Sequence, residues 1–196
     1  MSAAVPSPVQ FDLAAPEEME NWRPLVQWLL AIPHLIIASA LNYVSGAVLV
    51  ISFFTVLFTE KIPEGLYNFQ VMVHRYRARV TAYAGFMHST YPKFEFAMTA
   101  ADPGGDPITL SVAAPVPLKR WMPLVKWLLA IPHYVMILIY GIGALVLWIV
   151  NFFIILFTGK WNGDHRRFII KVNRYVLRVM AYVFLLRDEY PSFTLD

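Results

Sequence analysis

Residues 22–34 read WRPLVQWLLAIPH, and residues 121–133 read WMPLVKWLLAIPH. The two blocks differ only at Arg23/Met122 and Gln27/Lys126, at an offset of 99 positions. The same offset carries Phe53-Phe54 with Leu57-Phe58-Thr59 onto Phe152-Phe153 with Leu156-Phe157-Thr158. It carries Arg75-Tyr76, Arg79-Val80 and Ala82-Tyr83 onto Arg174-Tyr175, Arg178-Val179 and Ala181-Tyr182, and Tyr91-Pro92 with Phe94 onto Tyr190-Pro191 with Phe193. Chance does not hold one register over so many separate blocks. The chain is a tandem duplication, and whatever it folds into must be built twice.

What is duplicated is apolar. Hydrophobic residues make up 58% of the 196 and charged residues 15%, against roughly a quarter charged in soluble chains. No Asp, Glu, Lys or Arg falls between Arg23 and Glu60, nor between Lys126 and Lys160. Such runs pass the roughly 18–20 apolar residues that mark a bilayer span, so an α-helical membrane protein is expected. Met1–Glu20 carries four acidic residues and no basic one. It is not a secretory or transit signal, and the internal segments are expected to direct insertion. The absence of cysteine excludes disulfides, thiolate catalysis, iron–sulfur ligation and cysteine zinc sites.

Each unit repeats one order of parts, the first over residues 1–99 and the second over 108–196. An alternating, strand-like stretch comes first (Val9 to Ala14; Ile108 to Ala113). The apolar segment follows, about 24–59 and 123–158, and then a basic amphipathic helix, about 65–87 and 164–186. A strand-like piece, KFEFAM or SFTL, closes each unit. Residues 100–107, AADPGGDP, form a linker turn that could close a hairpin between Phe94–Met98 and Ile108–Val112.

The apolar segment would make a helix of about 54 Å at ~1.5 Å per residue, too long for a hydrocarbon core of about 30 Å. In one reading it is a helical hairpin turning near Asn42–Gly46 and near Gly141–Gly143. In the other, residues 22–32 lie at the interface and Pro33 opens a single span. Hairpins place every Lys and Arg on one side and give both copies the same orientation, as the positive-inside rule favours. The expectation is therefore two hairpins, spanning or deeply inserted, with the termini and short β-strands on the cytoplasmic side.

Few side chains offer chemistry. His34 and His133 occupy equivalent places within the apolar segments and could pair as haem or metal ligands. A histidine after proline can equally serve backbone carbonyls that the proline leaves unpaired. Arg75 and Arg79 share a helix face, as do Arg174 and Arg178, and are expected to contact anionic headgroups or a partner. Trp22, Trp28, Trp121 and Trp127 flank the apolar segments as interfacial anchors. No phosphate loop, catalytic triad, carboxylate cluster or nucleic-acid-binding motif is present, and no metal site or cofactor is expected.

The blocks W-x-P-L-V-x-W-L-L-A-I-P-H, F-F-x-x-L-F-T and R-Y-x-x-R-V-x-A-Y resemble a family of bacterial membrane proteins, common in actinobacteria, that is catalogued as a domain of unknown function. The resemblance implies a bacterial membrane setting and supplies no function. The residues themselves favour a non-enzymatic accessory or scaffold subunit that meets lipid, a larger membrane complex or another copy of itself. A transporter or channel component comes second, and a haem or metal protein using His34 and His133 third.

Overall fold

A computed structural model describes residues 8–195. The expected cytoplasmic placement of the two termini falls partly on residues 1–7 and 196, outside the described residues. The elements are β1 (Val9–Leu13), α1 (Arg23–Leu30), α2 (Ile32–Thr59), α3 (Glu64–Ala84), β2 (Ile108–Val112), α4 (Met122–Leu129), α5 (Ile131–Thr158) and α6 (Gly163–Val183). The second four repeat the first four.

Proline sets the helix breaks. Pro33 and Pro132 sit in the first turn of α2 and α5, where a missing N–H costs nothing and the ring bars continuation from the preceding helix. The short helices α1 and α4 therefore end just before the long ones begin.

The expected hairpin turns do not form. α2 runs as 28 continuous residues through Asn42–Gly46, and α5 as 28 through Gly141–Gly143. None of these glycines has positive φ. A glycine inside a helix costs only about 1 kcal/mol, less than exposing unpaired backbone groups in an apolar setting. The polar residues that suggested a turn are used sideways instead: Ser45 donates to Gln70 Oε1, and Asn42 accepts from Arg77 at 2.7 Å.

The chain folds back one element later. Glu60 (φ 60°) and its counterpart Gly159 (φ 69°) end the long helices in the left-handed conformation. α3 and α6 then return antiparallel along α2 and α5. Asn162 caps α6, its side chain accepting the N–H groups of Asp164 and His165.

The strands also pair otherwise than the linker suggests. β2 pairs antiparallel with β1, Val9 opposite Val112 and Leu13 opposite Ile108, and residues 94–98 form no strand. Each strand packs on the return helix of the opposite unit, β2 on α3 and β1 on α6. The units are thus interlocked in three layers: α2 and α5, then α3 and α6, then the strand pair. One hydrophobic cluster joins them, including Val56, Val71, Phe86, Leu110, Ile155 and Trp161.

The two long helices run in opposite senses. Met19 N donates to Gly159 O at 2.9 Å and Asn21 Nδ2 to Leu156 O at 3.2 Å. The start of α2 follows about 17 Å of largely helical chain later, whereas α5 is about 42 Å long. Symmetrically, Leu118 N donates to Glu60 O at 2.8 Å and holds the approach to α5 against the end of α2. Two copies sharing one orientation as upright spans are incompatible with this head-to-tail arrangement.

Both long helices are apolar and long enough to cross a membrane, and each leaves most of its large apolar side chains exposed while burying a few polar and apolar ones. α2 turns His34, Ala38, Ser45 and Ser52 inward and leaves Ile36, Tyr43, Val50, Ile51, Phe54 and Phe58 exposed. α5 buries His133, Asn151 and Ile155. Only 22% of the most apolar stretch of α2, and 6% of that containing α5, is buried.

Candidate functional site

The arginine pairs lie against the strands. Spacing four apart puts Arg75 and Arg79 on one face of α3, and that face meets β2. Arg75 donates through Nε to Leu110 O at 3.0 Å and through its terminal nitrogens to the carbonyls of Ala97, Thr99, Ala100 and Ala101. Arg79 donates through Nε to Ile108 O at 3.2 Å. Its guanidinium pairs with Glu95 at 2.8 Å and with Asp102 at 2.9 Å. Arg75 and Arg79 are 2% and 1% exposed. The expectation that they touch lipid headgroups is corrected: they are buried anchors for the linker, which the i,i+4 spacing could not distinguish from a surface pair.

Burial leaves electrostatic traces here. It pulls the Arg75 guanidinium below the usual arginine range, against the neighbouring Asp102 carboxylate. It pushes the Asp106 carboxyl above the usual range, although Asp106 accepts the Ile108 N–H at 2.9 Å.

The second pair is built alike and closed differently. Arg174 donates through Nε to Phe11 O at 2.8 Å and meets Asp12 at 3.1 Å, with both side chains partly open, at 36% and 69%. Arg178 donates to Thr194 O at 2.7 Å and lies over the Tyr175 ring. A cleft of about 450 Å³ lies here, lined by Val9, Phe11, Asp12, Ser111, Arg174 and Arg178 among others.

The histidines are not brought together by any contact in the structure. Each is engaged within its own unit. His34 Nδ1 lies 2.7 Å from Tyr76 Oη and stacks on Phe94 at 4.1 Å between ring centroids. His133 repeats this with Tyr175 at 2.7 Å and Phe193 at 4.3 Å, and Tyr91 and Tyr190 pack edge-on or tilted against the same rings. Both rings are fully buried, with Nε2 unpaired. Among the described residues no three His, Cys, Asp or Glu converge as a metal site.

Trp28 and Trp127 are exposed on α1 and α4, and Trp22 and Trp121 are exposed at the caps just before them. Trp28 and Trp127 turn their indole N–H groups back to Leu25 O and Leu124 O, at 2.8 and 2.7 Å.

Sequence reasoning missed the partners. Tyr76/Tyr175 and Phe94/Phe193 repeat at the same offset as the histidines, and that repetition was the available signal. Gln27 and Lys126, one of only two mismatches in the first block, turn out to do the same work. Gln27 donates to Tyr83 O and His88 O, at 2.7 and 2.6 Å. Lys126 donates to Arg187 O at 2.6 Å, pairs with Asp188 at 2.7 Å and lies over the Tyr182 ring.

A family described as a domain of unknown function (DUF4389) matches residues 21–95 and again residues 120–194. Both strands and the whole of the 100–107 linker fall outside the two matches. No curated protein and no solved structure matches the chain.

Proposed function

The chain belongs to the DUF4389 family, whose domain it carries twice, and we propose that it is a non-enzymatic accessory or scaffold subunit embedded in a bacterial cytoplasmic membrane. The observation that carries this reading is the layering. Most of the exposed apolar surface belongs to α1, α2, α4 and α5, with smaller contributions from Tyr91, Phe94, Phe96, Met98, Val116, Tyr190 and Phe193, while the strands and the carboxylate-rich linker lie beyond α3 and α6. An apolar surface of that extent on a monomer marks a membrane or protein contact, and polar groups turned inward suit lipid as the solvent.

The duplication bears on how the protein sits. The local twofold axis must run roughly perpendicular to two helices that it exchanges head to tail. The strand pair lies on that axis. Upright long helices would place the strands and the Asp102 linker at mid-bilayer depth, where charged groups are expensive. With the axis along the bilayer normal, the long helices lie along one leaflet and the strands face water. We therefore favour insertion from the cytoplasmic face without crossing, with Trp22, Trp28, Trp121 and Trp127 at headgroup level. The strand layer is then free for a partner in a larger membrane complex. The transport and bis-histidine haem readings have no comparable observation behind them, since His34 and His133 each engage a tyrosine of their own unit.

Depth measurements test the insertion. Spin labels placed singly at Ile36, Val50 and Phe58 should report similar depths; a depth that passes through a maximum at Val50 would show a crossing helix instead. Purification in mild detergent tests the role. A stoichiometric membrane partner is expected, and a chain that runs alone from its native membrane would sink the scaffold reading.

A further inference from the structure

The duplication gives the arginine clefts an internal comparison. The lining of the Arg174–Arg178 cleft maps, at the offset of 99, onto Ile108, Leu110 and Ser111 of β2 with Arg75 and Arg79 of α3. There the equivalent space is filled by residues 95–106. The Asp102 carboxylate meets both guanidinium groups, at 3.4 Å from Arg75 and 2.9 Å from Arg79, and accepts the Leu110 N–H at 2.7 Å. Its own N–H donates to Ser111 Oγ at 2.9 Å. Ala100 O accepts the Val112 N–H at 3.1 Å, so the segment runs along the outer edge of β2.

The matching edge of β1 lines the open cleft. Directly opposed residues in an antiparallel pair either exchange both hydrogen bonds or neither. Leu110 sends its N–H outward to Asp102, so its partner Phe11 also points its N–H outward, into the cleft. An outward N–H on an edge strand, an accessible guanidinium at Arg174 and a concave space together reproduce the surroundings of Asp102. Edge strands with these features bind extended peptides by strand addition.

We propose that the Arg174–Arg178 cleft docks an extended peptide segment of a partner protein, with an aspartate seated on Arg174 as Asp102 is seated against Arg75. This names the kind of partner left open by the scaffold reading, and rests on it. Asp12 is the element that differs, standing where β2 has Ser111, and its exposed carboxylate holds Arg174 until a partner's carboxylate replaces it.

The test uses the full chain in detergent and a fluorescein-labelled peptide copying residues 97–107, titrated to about 1 mM. Saturable binding is expected. Asp-to-Asn replacement at the Asp102 position of the peptide should weaken it about tenfold or more, since the charge-assisted bonds go. Asp12→Ser in the protein should tighten binding several-fold, a gain that loss of folding cannot mimic, and Arg174→Gln should weaken it. A photoreactive group on the peptide should mark β1 and α6. Absence of binding, indifference to the Asn peptide, or cross-links confined to α2 and α5 would overturn the proposal. So would displacement by inorganic phosphate or phosphatidylglycerol vesicles of a peptide that binds no better than its Asn form, which would make this a general anion site. A native partner whose co-purification ignores both Asp12→Ser and Arg174→Gln would place docking elsewhere while leaving the scaffold reading intact.

Discussion

Phe11 and Leu110 stand directly opposite each other in the β1–β2 ladder and are also equivalent positions of the duplication, so the local twofold axis passes between them. Each offers its carbonyl to the arginine of the other's return helix, Leu110 to Arg75 at 3.0 Å and Phe11 to Arg174 at 2.8 Å. The strands precede the family domain in each half, yet they cross over to close the opposite half.

That exchange makes the two arginine pairs unequal in a measurable way. Asp102 is a buried counter-charge to Arg75 and Arg79, and removing one partner of a buried pair leaves an uncompensated charge. Asp102→Asn should destabilise the protein by about 3–5 kcal/mol. Arg174→Gln removes a partly exposed pair and should cost less than about 1 kcal/mol. Thermal unfolding of both variants in one detergent checks the order, and equal losses would mean that the second cleft is as closed as the first.

Gln27 and Lys126 permit a cleaner comparison, because the protein contains both solutions to one problem. Lys126 is matched by Asp188, whereas Gln27 is accompanied by Ser89 at the equivalent place. Lys126→Gln should cost about 2–4 kcal/mol through the stranded carboxylate. Adding Asp188→Ser should recover most of that loss, since the double variant copies the first unit. A double-mutant cycle reads the coupling directly; simple additivity of the two changes would disprove it.

Acid should loosen the fold through its buried histidines. Burial holds His74 and His88 neutral, their pKa values lowered from 6.5 to about 4, with Arg77 and Arg166 adding to the effect. Between those values the unfolded chain binds protons that the folded chain refuses, so stability is present above pH 6.5 and is lost as pH falls toward 4. Over the full window each histidine accounts for roughly 3 kcal/mol. The melting temperature should therefore decline steadily from pH 6.5 to 5, and His74→Leu should flatten that slope. An unchanged slope would mean that His74 is protonated in the folded state.

Much of this fold is legible in the sequence, and the failures have physical causes. The repeat, the strands at Val9–Leu13 and Ile108–Val112, and the return helices all follow from periodicity and register. The hairpin expectation failed because glycine and asparagine within an apolar helix carry the same letters as a turn, and only lateral partners such as Gln70 and Arg77 tell them apart. The linker's Gly104 and Gly105 do adopt positive φ, 79° and 80°, but they steer the chain along β2 rather than closing a local hairpin. Pairing of β1 with β2 joins residues about 100 positions apart, and no local pattern encodes it. The arginine spacing showed a shared face and could not show what that face meets.

The histidines supply the last contrast. Tyr76→Phe deprives His34 of its only side-chain hydrogen-bond partner among the described residues in a fully buried box, and Tyr175→Phe does the same to His133. Each loss should cost about 1–3 kcal/mol, the penalty for stranding a buried polar group. Replacing both members, as in His34→Leu with Tyr76→Phe, should return part of it, because no unpaired group remains. The two boxes lie in separate units, so Tyr76→Phe and Tyr175→Phe together should sum to within about 0.5 kcal/mol. Each box is then an independent packing unit. A coupling well above that between the two tyrosine variants would instead show that His34 and His133 act as one site, and would restore the shared-ligand reading that their equivalent positions first suggested.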